Sequence, residues 1–451
     1  MLLRGRKQNW GFRRIPRSCE RFFRNLVQAL DRLITPERLR NYPMIFIVLG
    51  ALMTAVSSAQ RVIDPGAQGA FLPDYLAHWT GGGLLLSGER EGLYDPAIQL
   101  GHQVTALGPT AYLAWFVSPP LVAALCAPLS VLNYNVSAAC WVVLSASMLI
   151  WCVHSLGFLA PNLMRRRRKY VFLAIFASAP VLELVGGGQD SAFVLAVWLV
   201  GLRLMATRRQ GLAGAAIGLG VLKPQQVVLV PFVLLFTRKY RALAAFVAVV
   251  AGLSGVSVLL VGIDGVQHWV AAITSSVYTE QVQQGQAWKM VSLPAFIVAI
   301  LPPGWSAWLA AYVGWAFIAI GFVFLLRRIR AASTTTVDTQ AVWVATLATT
   351  VVFSPHLMIY DAILLVPVAL FLLERRPSPF IRVMLVAAFV LMWLAPALHV
   401  LSLSVPWPFA AVSAPWASLP LTALWVESLK EVLTRRSPSP QSEMVNLDPG
   451  K

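Results

Sequence analysis

Val247–Val261 reads VAVVAGLSGVSVLLV, a run without a charged side chain and without any apolar–polar alternation. Strands of a membrane barrel alternate apolar outside with polar inside, so this run is helical. It lies between Arg238-Lys239-Tyr240-Arg241 and Asp264, a stretch close to the roughly 20 residues that carry a helix across a hydrocarbon core. Comparable runs recur along the chain. Over 451 residues the hydrophobic fraction is 58 % and the mean hydropathy +0.69. That is more apolar surface than a soluble domain of this length can bury. The expected fold class is an all-α polytopic membrane protein.

The formal charge of +17 comes from 36 Lys and Arg against 19 Asp and Glu. A nucleic-acid-binding surface would gather that charge on one face, whereas here it falls in short clusters between apolar runs, the pattern that orients a membrane protein. The clusters are the arm to Arg40, Arg165–Lys169, Arg203 with Arg208 and Arg209, Arg238–Arg241, Arg327–Arg330, Arg375–Arg382 and the end from Lys430. Taken as cytoplasmic turns, they hold every Lys and Arg except Arg61, Arg90, Lys223 and Lys289. Both termini are therefore expected in the cytoplasm, with no nucleic-acid partner. The basic N-terminal arm is too long for a cleaved signal, so the first span is retained. Cys19, Cys126, Cys140 and Cys152 form no CxxC pair, which indicates neither a disulfide framework nor a zinc site.

Between these fixed points, spans are expected at 43–60, 135–157, 170–185, 190–206, 211–223, 226–237, 242–262, 306–326, 340–353, 361–373, 381–398 and 409–427, about twelve in all. The pair 211–223 and 226–237 is short enough to be a re-entrant hairpin with Lys223-Pro224-Gln225 at its tip. Residues 113–132 could pass for a span, but counting them would put Arg165–Lys169 outside, so they are assigned to a long first external loop, 61–134. The organisation is then a basic cytoplasmic arm (1–42), a membrane domain (43–427) and a Ser-Pro-rich cytoplasmic tail (428–451) that is expected to be disordered.

The external loops hold the chemically interesting residues, because an ionisable group at membrane depth is costly unless it faces a cavity, a partner or a substrate. Asp74 sits just past the first span in Phe71-Leu72-Pro73-Asp74-Tyr75, followed by His78 and Trp79. A carboxylate there suits a general base for an acceptor hydroxyl, or merely the N-cap of the next helix. Gly186-Gly187-Gly188-Gln189-Asp190 offers bare N–H groups at a helix start, fit for an anion or a sugar hydroxyl, or a tight turn capped by Asp190. Lys223 at a hairpin tip would meet a lipid phosphate, or snorkel to generic headgroups. His356, Tyr360 and Asp361 share the outer end of a later hairpin, where His356 can hydrogen-bond a phosphate oxygen or serve the structure alone. Gln281–Gln286 with Trp288 and Lys289 offers amides and an aromatic face for carbohydrate. His268 and Trp269 suit an interfacial anchor. There is no GxxxxGK[ST] loop, HExxH helix, GxSxG elbow or DxD pair in the first loop, so no metal and no cofactor are expected.

Taken together, Pro73-Asp74-Tyr75, Leu93-Tyr94-Asp95, Ser118-Pro119-Pro120, Gly188-Gln189-Asp190, Gly201-Leu202-Arg203, Leu222-Lys223-Pro224-Gln225, Ser354-Pro355-His356 and Tyr360-Asp361 resemble glycosyltransferase family 87, from about residue 45 to 375. The resemblance implies a GT-C fold whose first external loop carries membrane-surface helices and the catalytic base, which is Asp74 on this sequence. It implies transfer of a sugar, most simply mannose, from a polyprenyl-phosphate carrier to a lipid or glycan acceptor with inversion, on the periplasmic side of a bacterial inner membrane. Lys223, His356 and Gln189 would then serve the donor phosphate, and Asp190, Gln225, Tyr75, His78 and Asp361 would give sugar or supporting contacts. A transporter or flippase of lipid-linked sugars also needs a polar cavity among helices, but it often has two similar halves. No internal repeat is seen. A structural subunit of an envelope-assembly complex is a further alternative.

Overall fold

A computed structural model describes residues 17–63, 72–108, 113–302, 305–332 and 338–434. Helices follow the apolar runs, and proline opens several of them, its fixed φ and missing N–H being tolerated in a first helical turn. The N-terminal arm forms α1 (Arg17–Arg32), and α2 (Pro36–Ile63) carries the first span. The region foreseen as the first external loop supplies α3 (Pro73–Leu86), α4 (Pro96–Leu107) and α5 (Pro120–Ser130). Then come α6 (Tyr134–Ser155), α7 (Pro161–Phe176), α8 (Ala179–Gly187), α9 (Ser191–Ala206), α10 (Gln210–Gly218), α11 (Val230–Phe236) and α12 (Tyr240–Thr274). The C-terminal part holds α13 (Leu293–Ile300), α14 (Trp305–Ala332), α15 (Thr339–Phe353), α16 (Val366–Glu374), α17 (Pro379–Ser402) and α18 (Ser418–Thr434). Among the described residues the extended pairing is limited to one antiparallel bridge, Met290 with Met358.

Among the described residues five helices are long and apolar enough to cross a membrane, namely α2, α6, α12, α14 and α17; α7 and α8, bent by 55° at a short break, add a sixth only as one broken span and otherwise form a re-entrant loop. This is the make-up of a polytopic membrane protein. The sequence-based tally of about twelve crossings is not reached, because the remaining apolar helices are short. The clearest case is α15, in which every residue from Ala341 to Phe353 is buried. At 15 residues α15 is shorter than the roughly 20 that a full crossing needs, and protein encloses it on all sides. Thr346, Thr349 and Thr350 turn their hydroxyls back to carbonyls four residues earlier, which satisfies them inside that core. The hairpin foreseen at 211–237 is broken into α10, two 3₁₀ turns meeting at Lys223, and α11. The basic cluster foreseen as a turn at Arg165–Lys169 lies within α7, where Arg167 departs from helical geometry.

The span read from Val247–Val261 is α12, whose departure from helical geometry falls at Gly262, at a φ of 74° that suits glycine. Beyond this bend the helix continues to Thr274, through what the sequence suggested was loop, and Trp269 donates to the Val117 carbonyl at 3.0 Å. Gln99 and Gln103 of α4 clamp the segment before α5. The Gln99 amide accepts from the Phe116 N–H at 2.7 Å and donates to the Leu93 and Phe116 carbonyls, and Gln103 exchanges two bonds with Ala114. Helices α3, α4 and α5 thus form a cap built on α3, which is buried between its neighbours. Residues 64–71 and 109–112 of the foreseen loop lie outside the described residues, as does the tail after Thr434.

The turns carrying the basic clusters meet at one end of the bundle. Arg382 at the start of α17 grips Asp31 of α1 through two nitrogens. Glu374 at the end of α16 accepts from the backbone N–H groups of Asn162 and Leu163. Arg375 reaches Asp338 at 2.9 Å and Glu431 at 3.2 Å. Along α9, Asp190 and Ser191 stand at the start and Arg203 in the last turn.

Candidate active site

Asp74 stands in the first turn of α3, where a negative charge is favoured by the helix N-terminus. It is not the cap, a position taken by Leu72 with φ 53°. Its side chain is aimed at the end of α8. A Cβ built on Gly187 would fall 2.6 Å from Asp74 Oδ2, so an alanine there would make the carboxylate shift. Gly188 then closes α8 in the left-handed region at φ 76°, and a Cβ there would meet Tyr75 Cβ at 2.6 Å. The Gly188 carbonyl accepts from Trp141 Nε1 at 2.7 Å. Tyr75 stacks on Trp141 with centroids 4.8 Å apart and bonds Ser137 through its hydroxyl at 2.6 Å. Tyr75 is therefore a wall holding α3 against α8, with its polar atom already engaged.

Just past this contact the chain delivers a buried ionic cluster. Asp190 precedes α9 but makes no capping bond to it. Its carboxylate faces Lys223 instead, with Oδ1 2.6 Å from Nζ. Asp361 approaches the same ammonium at 3.0 Å. Ser191 closes the group, donating to Asp361 at 2.5 Å while its oxygen accepts from Lys223 at 3.1 Å. The Tyr360 ring lies 5.2 Å from Nζ. The Lys223 side chain is only 14 % exposed and that of Asp361 only 3 %. Burial alone would depress the lysine's pKa, but the two carboxylates more than offset it and hold the ammonium above the ordinary lysine value. The cluster carries one positive and two negative charges. The sequence suggested a lysine free to meet a phosphate; in the structure two carboxylates already occupy its charge.

His78, one helical turn after Asp74, is buried with Nε2 3.3 Å from Ser118 Oγ, while Nδ1 has no partner among the described residues. Burial lowers its pKa, with Asp190 pulling the other way, so the ring is neutral at pH 7. His356 has a buried Nδ1 in the same condition, and burial brings its pKa down to about 4. Both imidazoles are thus neutral hydrogen-bonding groups. Asp74 and Asp190 both act electrostatically on His78 and on Tyr360, which ties the α3 carboxylate to the ionic cluster. Gln189 is buried beside the Gly187 seat. Gln225 is half-buried next to Lys223.

Two members were not foreseen. Ser191 bridges Lys223 and Asp361, and the only sequence signal for it is its place directly after Asp190. Gln226 is fully buried, and neither atom of its carboxamide has a partner among the described residues. Among those residues no group of three or more His, Cys, Asp or Glu is placed to hold a metal.

The glycosyltransferase family 87 model matches residues 116–355, more than half of the chain. The chain belongs to glycosyltransferase family 87. Neither a curated protein nor a solved structure matches it. Family membership makes it a glycosyltransferase, and that family together with the apolar helices fits a lipid or glycan substrate and a membrane setting. Gln189, Asp190 and Lys223 fall inside the matched region, whereas Asp74, His356 and Asp361 flank it and come to the site through the fold. The glycine seat gives a direct test of this glycosyltransferase. Gly187→Ala must push the Asp74 carboxylate aside, and with Asp74 in the role of base proposed below a displacement near 1 Å costs about 100-fold in rate. Transfer activity is expected to fall by that order, with the unfolding midpoint little changed. Wild-type kcat/KM in the variant would show that Asp74 does not need this seat.

Proposed function

We propose that the protein transfers a glycosyl unit, most simply mannose, from a polyprenyl-phosphate carrier to an acceptor hydroxyl, with Asp74 as general base and inversion at the anomeric carbon. The reading includes a GT-C arrangement of the membrane domain from about residue 43 to 427, both termini in the cytoplasm and a periplasmic site in a bacterial inner membrane. What supports it is the seating of the Asp74 carboxylate on Gly187, at the end of the bundle away from the basic turns. Nucleotide sugars are cytoplasmic, so a site on the far side calls for a lipid-linked donor.

In the reaction the acceptor oxygen bonds to the anomeric carbon as its proton passes to Asp74. The bond from that carbon to the phosphate oxygen breaks, and the electron pair leaves with polyprenyl phosphate. The protonated Asp74 then returns its proton to water. Phosphate is already a good leaving group, so stabilising its charge matters more than protonating it. His356 and the amides near Gln189 can donate to its oxygens. The Lys223, Asp190 and Asp361 cluster, with Ser191, ties the start of α9 to the turn carrying Lys223 and the segment carrying Asp361. Gln225, Tyr75 and His78 complete the polar surroundings of the sugar.

The test is transfer by purified protein in liposomes, offered radiolabelled polyprenyl-phosphate mannose or a nucleotide-linked mannose, with a membrane lipid extract as acceptor. Transfer from the lipid-linked donor alone is the expected result. Transfer from the nucleotide sugar alone would remove the donor assignment. Movement of the lipid-linked sugar across the bilayer without transfer would put the transporter reading first.

A further inference from the structure

Helix α1 spends only one flank of its apolar surface on the rest of the protein. Phe23 meets the Phe380 ring of α17 with centroids 6.0 Å apart, Val27 is buried, and Asp31 takes the Arg382 guanidinium. These three recur every fourth residue and form one row along the helix. Beside it Phe22, Leu26, Leu30 and Leu33 form a second row, and all four are exposed, Phe22 to 71 %. Cys19, one turn before Phe22, shares this face and is exposed too. Contiguous large apolar side chains left open in this way mark an interaction surface.

Two observations identify what covers it. The first is continuity with a span. The open row ends at Leu33, just before α2 begins at Pro36, and α2 is apolar enough to cross a membrane, with Leu39, Tyr42, Ile45, Val48 and Leu52 exposed along it. The elbow between the two helices is fixed, because the Arg38 side chain donates to the Leu33 carbonyl at 3.0 Å and the Arg38 N–H to Thr35 Oγ1 at 3.3 Å. The second is charge. Arg21 and Arg32 are three turns apart on the flank of the open row that faces away from Phe23, and both are exposed. Neither has a partner among the described residues, whereas Arg24, on the far side of the helix, bonds Glu20 at 3.4 Å. An apolar helix face edged by arginines is the pattern of a helix that lies in the plane of a membrane interface.

We propose that α1 is an in-plane membrane anchor with a preference for anionic phospholipid. Phe22, Leu26, Leu30 and Leu33 sink into the boundary between headgroups and acyl chains, in the leaflet at the end of the bundle where the basic turns meet. Arg21 and Arg32 bind lipid phosphates along the edge of that face. Through Phe23 and Asp31 the anchor holds the first turn of α17 at the same depth.

The experiment follows alkylation by a membrane-impermeant maleimide of the full protein in nanodiscs, read at individual cysteines by peptide mass spectrometry. The protein itself leaves Cys19 exposed, so protection of its thiol comes from the surroundings. In discs of equal parts phosphatidylcholine and phosphatidylglycerol, Cys19 is expected to react far more slowly than a cysteine introduced by Gln28→Cys, on the opposite face of α1. Each arginine near an anionic surface shifts such a seating equilibrium about fivefold, so discs of phosphatidylcholine alone are expected to speed the Cys19 reaction by about tenfold or more. Arg21→Gln with Arg32→Gln should produce the same rise in the mixed discs, and Arg21→Lys with Arg32→Lys should restore the protection. Equal rates at Cys19 and at the introduced cysteine in the mixed discs would overturn the membrane seat. Protection that ignores both lipid charge and the arginine pair would overturn the recognition of anionic lipid. Protection confined to discs holding two copies of the protein would make the face an interface between copies and overturn the proposal.

Discussion

Asp74→Asn is expected to lower the rate of glycosyl transfer by about 10³-fold, while donor binding stays within about twofold of wild type. The amide keeps the shape of the carboxylate, so the Gly187 seat remains filled and the first turn of α3 is undisturbed. What it loses is the ability to take the acceptor's proton. General-base help contributes about 10² to 10⁴ in rate, which sets the size of the effect. Single-turnover transfer from preloaded donor separates chemistry from binding. Full turnover in the variant would remove Asp74 as the base. A matching loss of donor affinity would show that its role lies in holding the substrate. The asymmetry between rate and affinity is the signature of an interaction made only in the transition state.

The sequence exposes some of this design and hides the rest, for physical reasons. A span such as Val247–Val261 announces itself because lipid demands an uninterrupted apolar run, and its end was expected where α12 bends, at Gly262. The segment 340–353 reads as a crossing from composition, which a buried core helix and a span share. Only its burial from Ala341 to Phe353 shows that protein surrounds it. Asp190, Lys223 and Asp361 each stood out as costly charges at membrane depth, but nothing in their spacing says that they are partners. Lys223 and Asp361 are 138 positions apart, and Ser191 and Asp361 are 170 apart. Gln226 gave no signal at all, since an uncharged amide can be solvated or buried and its sequence context does not decide which. The Asp74 seat shows the same limit. A glycine run was visible, but that the Asp74 carboxylate of another helix packs against Gly187 is a fact of packing.

The charge state of the ionic cluster leads to the second large effect. Lys223→Met is expected to destabilise the protein by about 3–5 kcal/mol, because removing one member of a buried ion pair leaves the other uncompensated. Here two carboxylates, Asp190 and Asp361, would be left facing each other around an apolar side chain, with Ser191 able to serve only one of them. The start of α9, the turn carrying Lys223 and the segment carrying Asp361 would separate, and activity would fall with the fold. The unfolding midpoint in detergent checks the first part. A rescue checks the mechanism: combining Lys223→Met with Asp190→Asn and Asp361→Asn removes the stranded charges and should recover most of the lost stability, since neutral or apolar replacements of buried ion pairs are often tolerated. A lysine serving chiefly as a phosphate contact would behave in the opposite way. Lys223→Met would then keep its unfolding midpoint and lose donor affinity, and the two asparagine changes would add damage instead of relieving it. Measuring stability and polyprenyl-phosphate affinity in the same single and triple variants therefore decides whether Lys223 builds the site or contacts the substrate within it.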